Sequence, residues 1–446
     1  MSDDRRTPSI SRRAALAGAG LVGVASVAGL AACSPDAPKW AEPGSGNSDT
    51  PAPPADPTAA SATITAPKHE AKDVHAAIEV AFTLANASTA TVELQDAAGT
   101  RVSGALRADG TSWVPNAPLK YNTTYTVTVT ANGADGKTGT ATSSFTTMAK
   151  PSKTISASSY SGDKAKVGIG MPLMVKFSRS VPKAKRAEVQ KRLFVDATPE
   201  QDGIWHWFSG SEVHFRPKEY WKAGTKISFR VAVGGLDMGG GYFGKADITI
   251  DDMLIGPAIV LTADNATKKM TATKDGVVLR TMPISLGKAS TPSSSGKTVI
   301  IEKFVHTIFD TFDELGPELG YRTPIDYAQR ITWGGEYIHS APWSVGSQGH
   351  RNVSHGCVNV SPSNAKWLFD LTQVGTPMIT KGTERKLKAG NGWTHWNLTW
   401  DEYVKGSALP FKPVDTTAGV EPSTEPSTSP SASPSAVPST SPTSAP

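Results

Sequence analysis

Between residues 62 and 280 the apolar runs are short and alternate with polar residues, and this punctuated period of two restricts the fold more than any other feature. Ile78-Glu79-Val80-Ala81-Phe82, Thr91-Val92-Glu93-Leu94 and Tyr125-Thr126-Val127-Thr128-Val129 each put their apolar side chains on one face of an extended strand. Asp109-Gly110 and Asn132-Gly133 supply turns between such runs, so residues 62–149 read as a β-sandwich. Residues 150–253 repeat the plan with Leu173-Met174-Val175-Lys176-Phe177, Val213-His214-Phe215 and Ile227-Ser228-Phe229-Arg230-Val231. The Pro-to-Tyr stretch 118–125 is echoed by residues 217–225, which suggests a duplication, with one helix near Lys183–Leu193 as a departure.

A third pattern runs from 254 to 383. Ile259-Val260-Leu261, Lys269-Met270-Thr271-Ala272-Thr273 and Val277-Val278-Leu279-Arg280 open it as β-hairpins. The segment Pro362–Leu371 predicts a helix, with Ser361 or Ser363 as cap and Ala365, Leu368 and Phe369 on one face. Residues 384–410, with Trp393, Trp396, Trp400 and Tyr403, are expected to wrap back onto the 254–383 domain. The fold class is mainly β, with a short helix and this C-terminal extension.

The ends differ in kind. Ser11-Arg12-Arg13 precedes an apolar run from Ala14 to Ala32, which resembles a twin-arginine export signal over residues 1–32. Leu30-Ala31-Ala32-Cys33 resembles a lipobox, implying lipidation of Cys33 and an extracytoplasmic protein held on the outer face of the cell membrane. A plain membrane span is the competing reading of that run. Residues 33–61 and 411–446 are rich in Pro, Ala, Ser and Thr and are expected to be a disordered tether and tail. Without residues 1–32 the chain has 41 basic and 38 acidic residues, and no basic run is interleaved with aromatics. Nucleic acid is therefore a poor partner.

His69, His75, His206 and His214 have no partner at metal-ligand spacing and read as structural, surface or half-buried residues. Trp205-His206-Trp207-Phe208 reads as core and interdomain packing rather than a carbohydrate platform. The glycine-rich run 234–241 lacks the strand-helix context of a phosphate loop and reads as a long, mobile hairpin.

Only two cysteines occur, Cys33 and Cys357. A disulfide between them is the plain reading, but a lipidated Cys33 leaves Cys357 as a thiol. Three histidines, His339, His350 and His355, lie within about twenty residues of Cys357. An imidazole can take the thiol proton and stabilise the thiolate, while the turn at Gly356 leaves backbone N–H groups for an oxyanion. Chemistry alone leaves three readings open: a Cys-His acyl-transfer site, a zinc site made of those four residues, and a buried structural cysteine.

Ser354-His355-Gly356-Cys357-Val358-Asn359, with His339 separated from Ser354 by fourteen residues, resembles the signature of the YkuD-type L,D-transpeptidases. The resemblance covers about 254–408, and the two preceding sandwiches look immunoglobulin-like, as in the actinobacterial subtype. It implies that Cys357 attacks the donor tetrapeptide stem of peptidoglycan, releases D-Ala, and passes the acyl group to an acceptor stem as a 3→3 cross-link. It implies His339 as general base oriented by the Ser340 carbonyl, with His355 and Gly356 shaping the site and the Gly356 and Cys357 N–H groups as oxyanion donors. Substrate contacts are implied for Tyr321, Ser354 and Asn359, and Trp343 and Phe309 are expected to line the pocket. The loop Ile308–Tyr321 is shorter than the family pattern, with Phe309 in place of Met. His350 reads equally as a loop residue or a functional one. Carbapenem β-lactams are implied inhibitors, and no metal or organic cofactor is implied. Hydrolysis instead of transfer, transfer to a protein amine, and a non-catalytic wall-binding lipoprotein are the rival functions.

Overall fold

A computed structural model describes residues 59–310, 312–319 and 322–414. The export signal, Cys33, most of the tether, Tyr321 and the tail beyond residue 414 lie outside the described residues.

The first sandwich closes two sheets on each other. One has the strand order Ser61–Ala66, Val80–Ala85, Ser112–Pro115, Gly104–Leu106; the other runs Ala71–Val74, Thr138–Thr147, Thr124–Asn132, Thr89–Asp96, Arg101–Val102. Alternation along Thr124–Asn132 sends Tyr125, Val127 and Val129 inward, where they meet Phe82, Leu94, Trp113 and Phe145. Gly104 is a glycine because a Cβ there would lie 2.2 Å from the Trp113 ring.

The second sandwich pairs Ala157–Ser159, Leu173–Phe177, Glu212–Pro217 and Gly203–Trp207 in one sheet, and Lys166–Val167, Ile248–Ile255, Lys226–Val231 and Leu193–Thr198 in the other. The helix occurs at Lys183–Gln190, because Leu193 already belongs to a strand. The glycine-rich run is a hairpin, but a short and packed one: Asp237–Gly239 pairs with Tyr242–Gly244, and Leu236 and Met238 are buried. Gly235, at φ +77°, has no room for a side chain against Ala76 and Tyr121 of the first sandwich. Mobility was the wrong expectation there. Arginines fasten the same joint: Arg192 donates to the Ile78 and Ala77 carbonyls, each at 2.9 Å, and Arg230 to the Pro115 carbonyl at 3.0 Å.

The third region has a six-stranded sheet, ordered Val277–Pro283, Lys269–Lys274, Ile259–Asp264, Pro377–Lys381, Ser294–Val299, Arg385–Lys386. A second sheet runs Glu302–Asp310, Arg322–Arg330, Tyr337–Ser340, Val358–Val360. The helix Pro362–Leu371 packs on the latter, capped by Ser361, whose hydroxyl accepts the Asn364 N–H. Ala365 and Leu368 are buried beneath it. The expected loop 308–321 is instead two strand ends bridged by the helical segment Phe312–Leu319, broken at Gly316 (φ +75°).

The extension departs from expectation. Arg385–Lys386 joins the six-stranded sheet of the third region, but the aromatic part packs on the second sandwich rather than on the 254–383 domain alone. Trp396 Nε1 donates to the Gly170 carbonyl at 2.7 Å, Tyr403 Oη to the His214 carbonyl at 2.7 Å, and His206 Nδ1 to the Tyr403 carbonyl at 2.6 Å. Arg216 stacks under Trp396, Trp400 and Tyr403. One core therefore holds Trp205, Trp207 and Phe229 of the sandwich together with Val299, Ile301, Trp393 and Trp396. His214 is also not half-exposed: it is buried, with its Nδ1 2.7 Å from Nε2 of His395.

Candidate active site

Two short strands set the site. Tyr337–Ser340 runs parallel to Val358–Val360, with His339 opposite Asn359. Paired residues of a sheet point to the same side, so Asn359 faces the side that His339 faces, and Cys357 lies in the bend just before that strand. All three line one cavity of about 400 Å³, together with Phe309, Thr323, Ile325, Trp343, Ser344, Val353, Ser354 and His355. Both pocket aromatics are there: Trp343 is 61% exposed at the rim, its ring centroid 5.9 Å from that of His339.

His339 is buried, and its Nδ1 lies 2.8 Å from the Ser340 carbonyl. A carbonyl only accepts, so Nδ1 carries the proton and Nε2 keeps its lone pair. Burial lowers the imidazole pKa below 6.5, against the Ser340 carbonyl and the Asn359 amide, which favour the charged form. This is a neutral, oriented base. Asn359 is itself buried, and its Nδ2 donates to Ser344 Oγ at 3.2 Å.

Cys357 is 5% exposed, with Sγ 3.7 Å from the Gly335 carbonyl. The turn that presents it is held from within. Ser354 Oγ donates to the Cys357 carbonyl at 2.7 Å and accepts the Gly356 N–H at 3.1 Å. That corrects one expectation: the Gly356 N–H is committed to Ser354, which removes it as an oxyanion donor in this geometry. Ser354 accordingly braces the turn as well as lining the cavity. Gly356 has φ +132°, a conformation other residues rarely adopt. Ser293 Oγ donates to the Gly356 carbonyl at 2.6 Å.

Several supporting residues escaped the sequence reading. Glu336, buried beside the turn, accepts from Ser294 N at 3.1 Å and Ser294 Oγ at 2.7 Å, and pairs with Arg385. Lys288 Nζ donates to His355 Nε2 at 3.1 Å. Burial and then Lys288 hold the His355 pKa below 6.5. Each of these partners lies more than forty positions from the residue it touches, so no local pattern signals it.

His350 is exposed and is not among the lining residues. Among the described residues no group of three or more His, Cys, Asp or Glu is placed to hold a metal ion, so His339, His350, His355 and Cys357 do not converge as ligands. The chemistry the arrangement offers is deprotonation of a shielded thiol by a fixed imidazole.

Residues 258–380 match the family model of the L,D-transpeptidase catalytic domain, and residues 71–237 match that of a bacterial Ig domain. L,D-transpeptidase 2 of Mycobacterium tuberculosis is 35% identical over 333 residues, spanning 74% of this chain and 80% of that protein. L,D-transpeptidase 5 of the same organism is 34% identical over 329 residues, spanning 72% of this chain and 71% of its own. A solved L,D-transpeptidase in complex with imipenem is 34% identical, covers 52% of this chain and 100% of its own, and has a TM-score of 0.44.

Proposed function

The chain belongs to the L,D-transpeptidase family, and from that premise we propose that it cross-links peptidoglycan stem peptides through a thioester on Cys357. The observation that carries the mechanism is the buried His339, its Nδ1 proton held by the Ser340 carbonyl, sharing a cavity with Cys357. Nε2 of His339 takes the thiol proton, and the thiolate attacks the carbonyl between the third residue of a donor tetrapeptide and its terminal D-Ala. The imidazolium returns the proton to the departing D-Ala amine, leaving a thioester. An acceptor amine, the side-chain amine of a second stem in the 3→3 reading, then attacks; His339 takes its proton and the thiolate leaves. The Ser354 brace fixes the thiol's position, which favours both attacks equally.

The same nucleophile accounts for acylation by β-lactams such as the imipenem bound by the solved relative. Lipidation at Cys33 places the enzyme on the outer face of the membrane, where its polymeric substrate lies. Purified tetrapeptide muropeptides, incubated with the enzyme and analysed by mass spectrometry, test the reading. Cross-linked dimers and free D-Ala are expected from wild type and neither from Cys357→Ala. Tripeptides alone indicate hydrolysis, and identical products from both proteins refute the cysteine mechanism.

A further inference from the structure

Among the described residues, none of the side chains lining the Cys357 cavity is Asp, Glu, Lys or Arg. A stem peptide carries carboxylates, and a carboxylate entering so uncharged a cleft loses hydration without gaining an ionic partner. One cation is built into the rim. Lys288 holds its ammonium 3.1 Å from His355 Nε2, and His355 lines the cavity. The loop that carries Lys288 is fixed to the catalytic turn: Lys288 N donates to the Ser354 carbonyl at 2.9 Å, and Gly287 bridges Ser354. Thr291 N in turn donates to the Lys288 carbonyl at 2.9 Å, closing the loop on itself. The ammonium is therefore positioned by the same backbone that positions the thiol.

Two other basic side chains of this region are already paired. Arg322 pairs with Asp310 at 2.7 Å, and Arg385 pairs with Glu336. Among the described residues no carboxylate lies within ion-pair distance of Lys288. An ammonium has three donors and no acceptor, so the contact with His355 engages one of them and makes the imidazole the acceptor. That leaves a charge at the mouth of the cavity with no counter-ion among the described residues.

We propose that Lys288, seated against His355, is the carboxylate-recognition residue of the cavity and selects the donor peptide by its negative charge. This rests on the transpeptidase reading above. Lys288 is a specificity residue: it grips the substrate away from the thiol, so it acts on binding more than on the acyl-transfer step.

Three synthetic tetrapeptides test it: the free acid, the form amidated at the third residue's side-chain carboxylate, and the form amidated at the C-terminus. Calorimetric binding to full-length Cys357→Ala separates affinity from turnover. Amidation at one of the two positions is expected to weaken binding about tenfold, the scale of one charge-assisted hydrogen bond, and that position identifies the carboxylate. Adding Lys288→Gln should weaken the free acid about tenfold and abolish its advantage, while Lys288→Arg retains it. In the active enzyme the same change raises KM for the free acid and leaves kcat within a factor of two or so. An advantage that survives Lys288→Gln, an equal loss for all three peptides, or no binding of the free acid overturns the proposal. A wild type that binds selectively through Lys288 but never forms an acyl-enzyme would instead overturn the transpeptidase mechanism.

Discussion

Acidification should loosen the C-terminal extension from the second sandwich, because the contact is built on histidines that have to stay neutral. His214 and His395 face each other at 2.7 Å in a wholly buried setting, flanked by Arg216, His206, Phe208 and Tyr403. Burial, with some repulsion from His206, pushes His214 down to about 3. Burial, then His214 and Arg216, pushes His395 well below the usual range. A base with a depressed folded pKa contributes stability that is complete above its unfolded pKa of 6.5 and is lost as pH falls below it. Between pH 7 and pH 5 an unfolded histidine gains most of a proton that the folded one refuses, which integrates to about 2 kcal/mol. The pair together should therefore remove about 4 kcal/mol. Urea unfolding of the full chain at the two pH values, followed by tryptophan fluorescence, measures this directly, since Trp393, Trp396 and Trp400 sit in the extension. His214→Gln and His395→Gln each delete one titrating group, and each should lose about 2 kcal/mol less than wild type over the same interval. If wild type and both variants show the same pH dependence, the buried pair is not what makes the contact acid-sensitive.

Acylation of Cys357 by a β-lactam should keep its rate down to pH values below 6.5, because burial holds His339 neutral there; a stopped-flow profile with its acid midpoint at or above 6.5 contradicts the assignment. Gly356→Ala meets no atom closer than 3.5 Å, so its penalty is backbone strain at φ +132°, about 1–3 kcal/mol in denaturation with slower acylation. Unchanged stability would show that the turn tolerates a side chain. Arg192→Ala removes both hydrogen bonds across the sandwich joint and should destabilise the protein by about 3 kcal/mol. Hydrogen exchange should quicken at residues 77–80 first, and exchange that quickens uniformly would place the arginine's role elsewhere.

Features governed by local chemistry were legible in the sequence. Ser361, Pro362 and the spacing of Ala365 and Leu368 announce a capped helix because each acts within four residues. Alternation in Tyr125–Val129 announces a buried strand face for the same reason. The Cys357 and His339 candidates were legible through the motif, and the parallel pairing of Tyr337–Ser340 with Val358–Val360 brings the two to one cavity. Hidden were the effects of distant partners. Nothing near His214 points to His395, 181 residues away, and nothing near Gly356 points to Ser293, whose Oγ bonds its carbonyl from 63 positions away. The glycine-rich run looked mobile because Ala76 and Tyr121, which confine Gly235, lie over a hundred positions earlier.

The shared core has a consequence for the order in which the chain can finish folding. Trp396 bonds Gly170 across 226 residues and Ser407 bonds Gln190 across 217. A chain emerging from its N-terminus can complete the first sandwich early, but the second waits, its His206 and His214 face uncovered, until the extension arrives. Vectorial synthesis thus leaves the second sandwich unfinished for as long as the C-terminal extension is unfinished. A truncation placed before Trp393 should yield an adhesive second sandwich rather than a tidy one, and residues 254–410 cannot be spliced onto a foreign sandwich without carrying the matching sheet along.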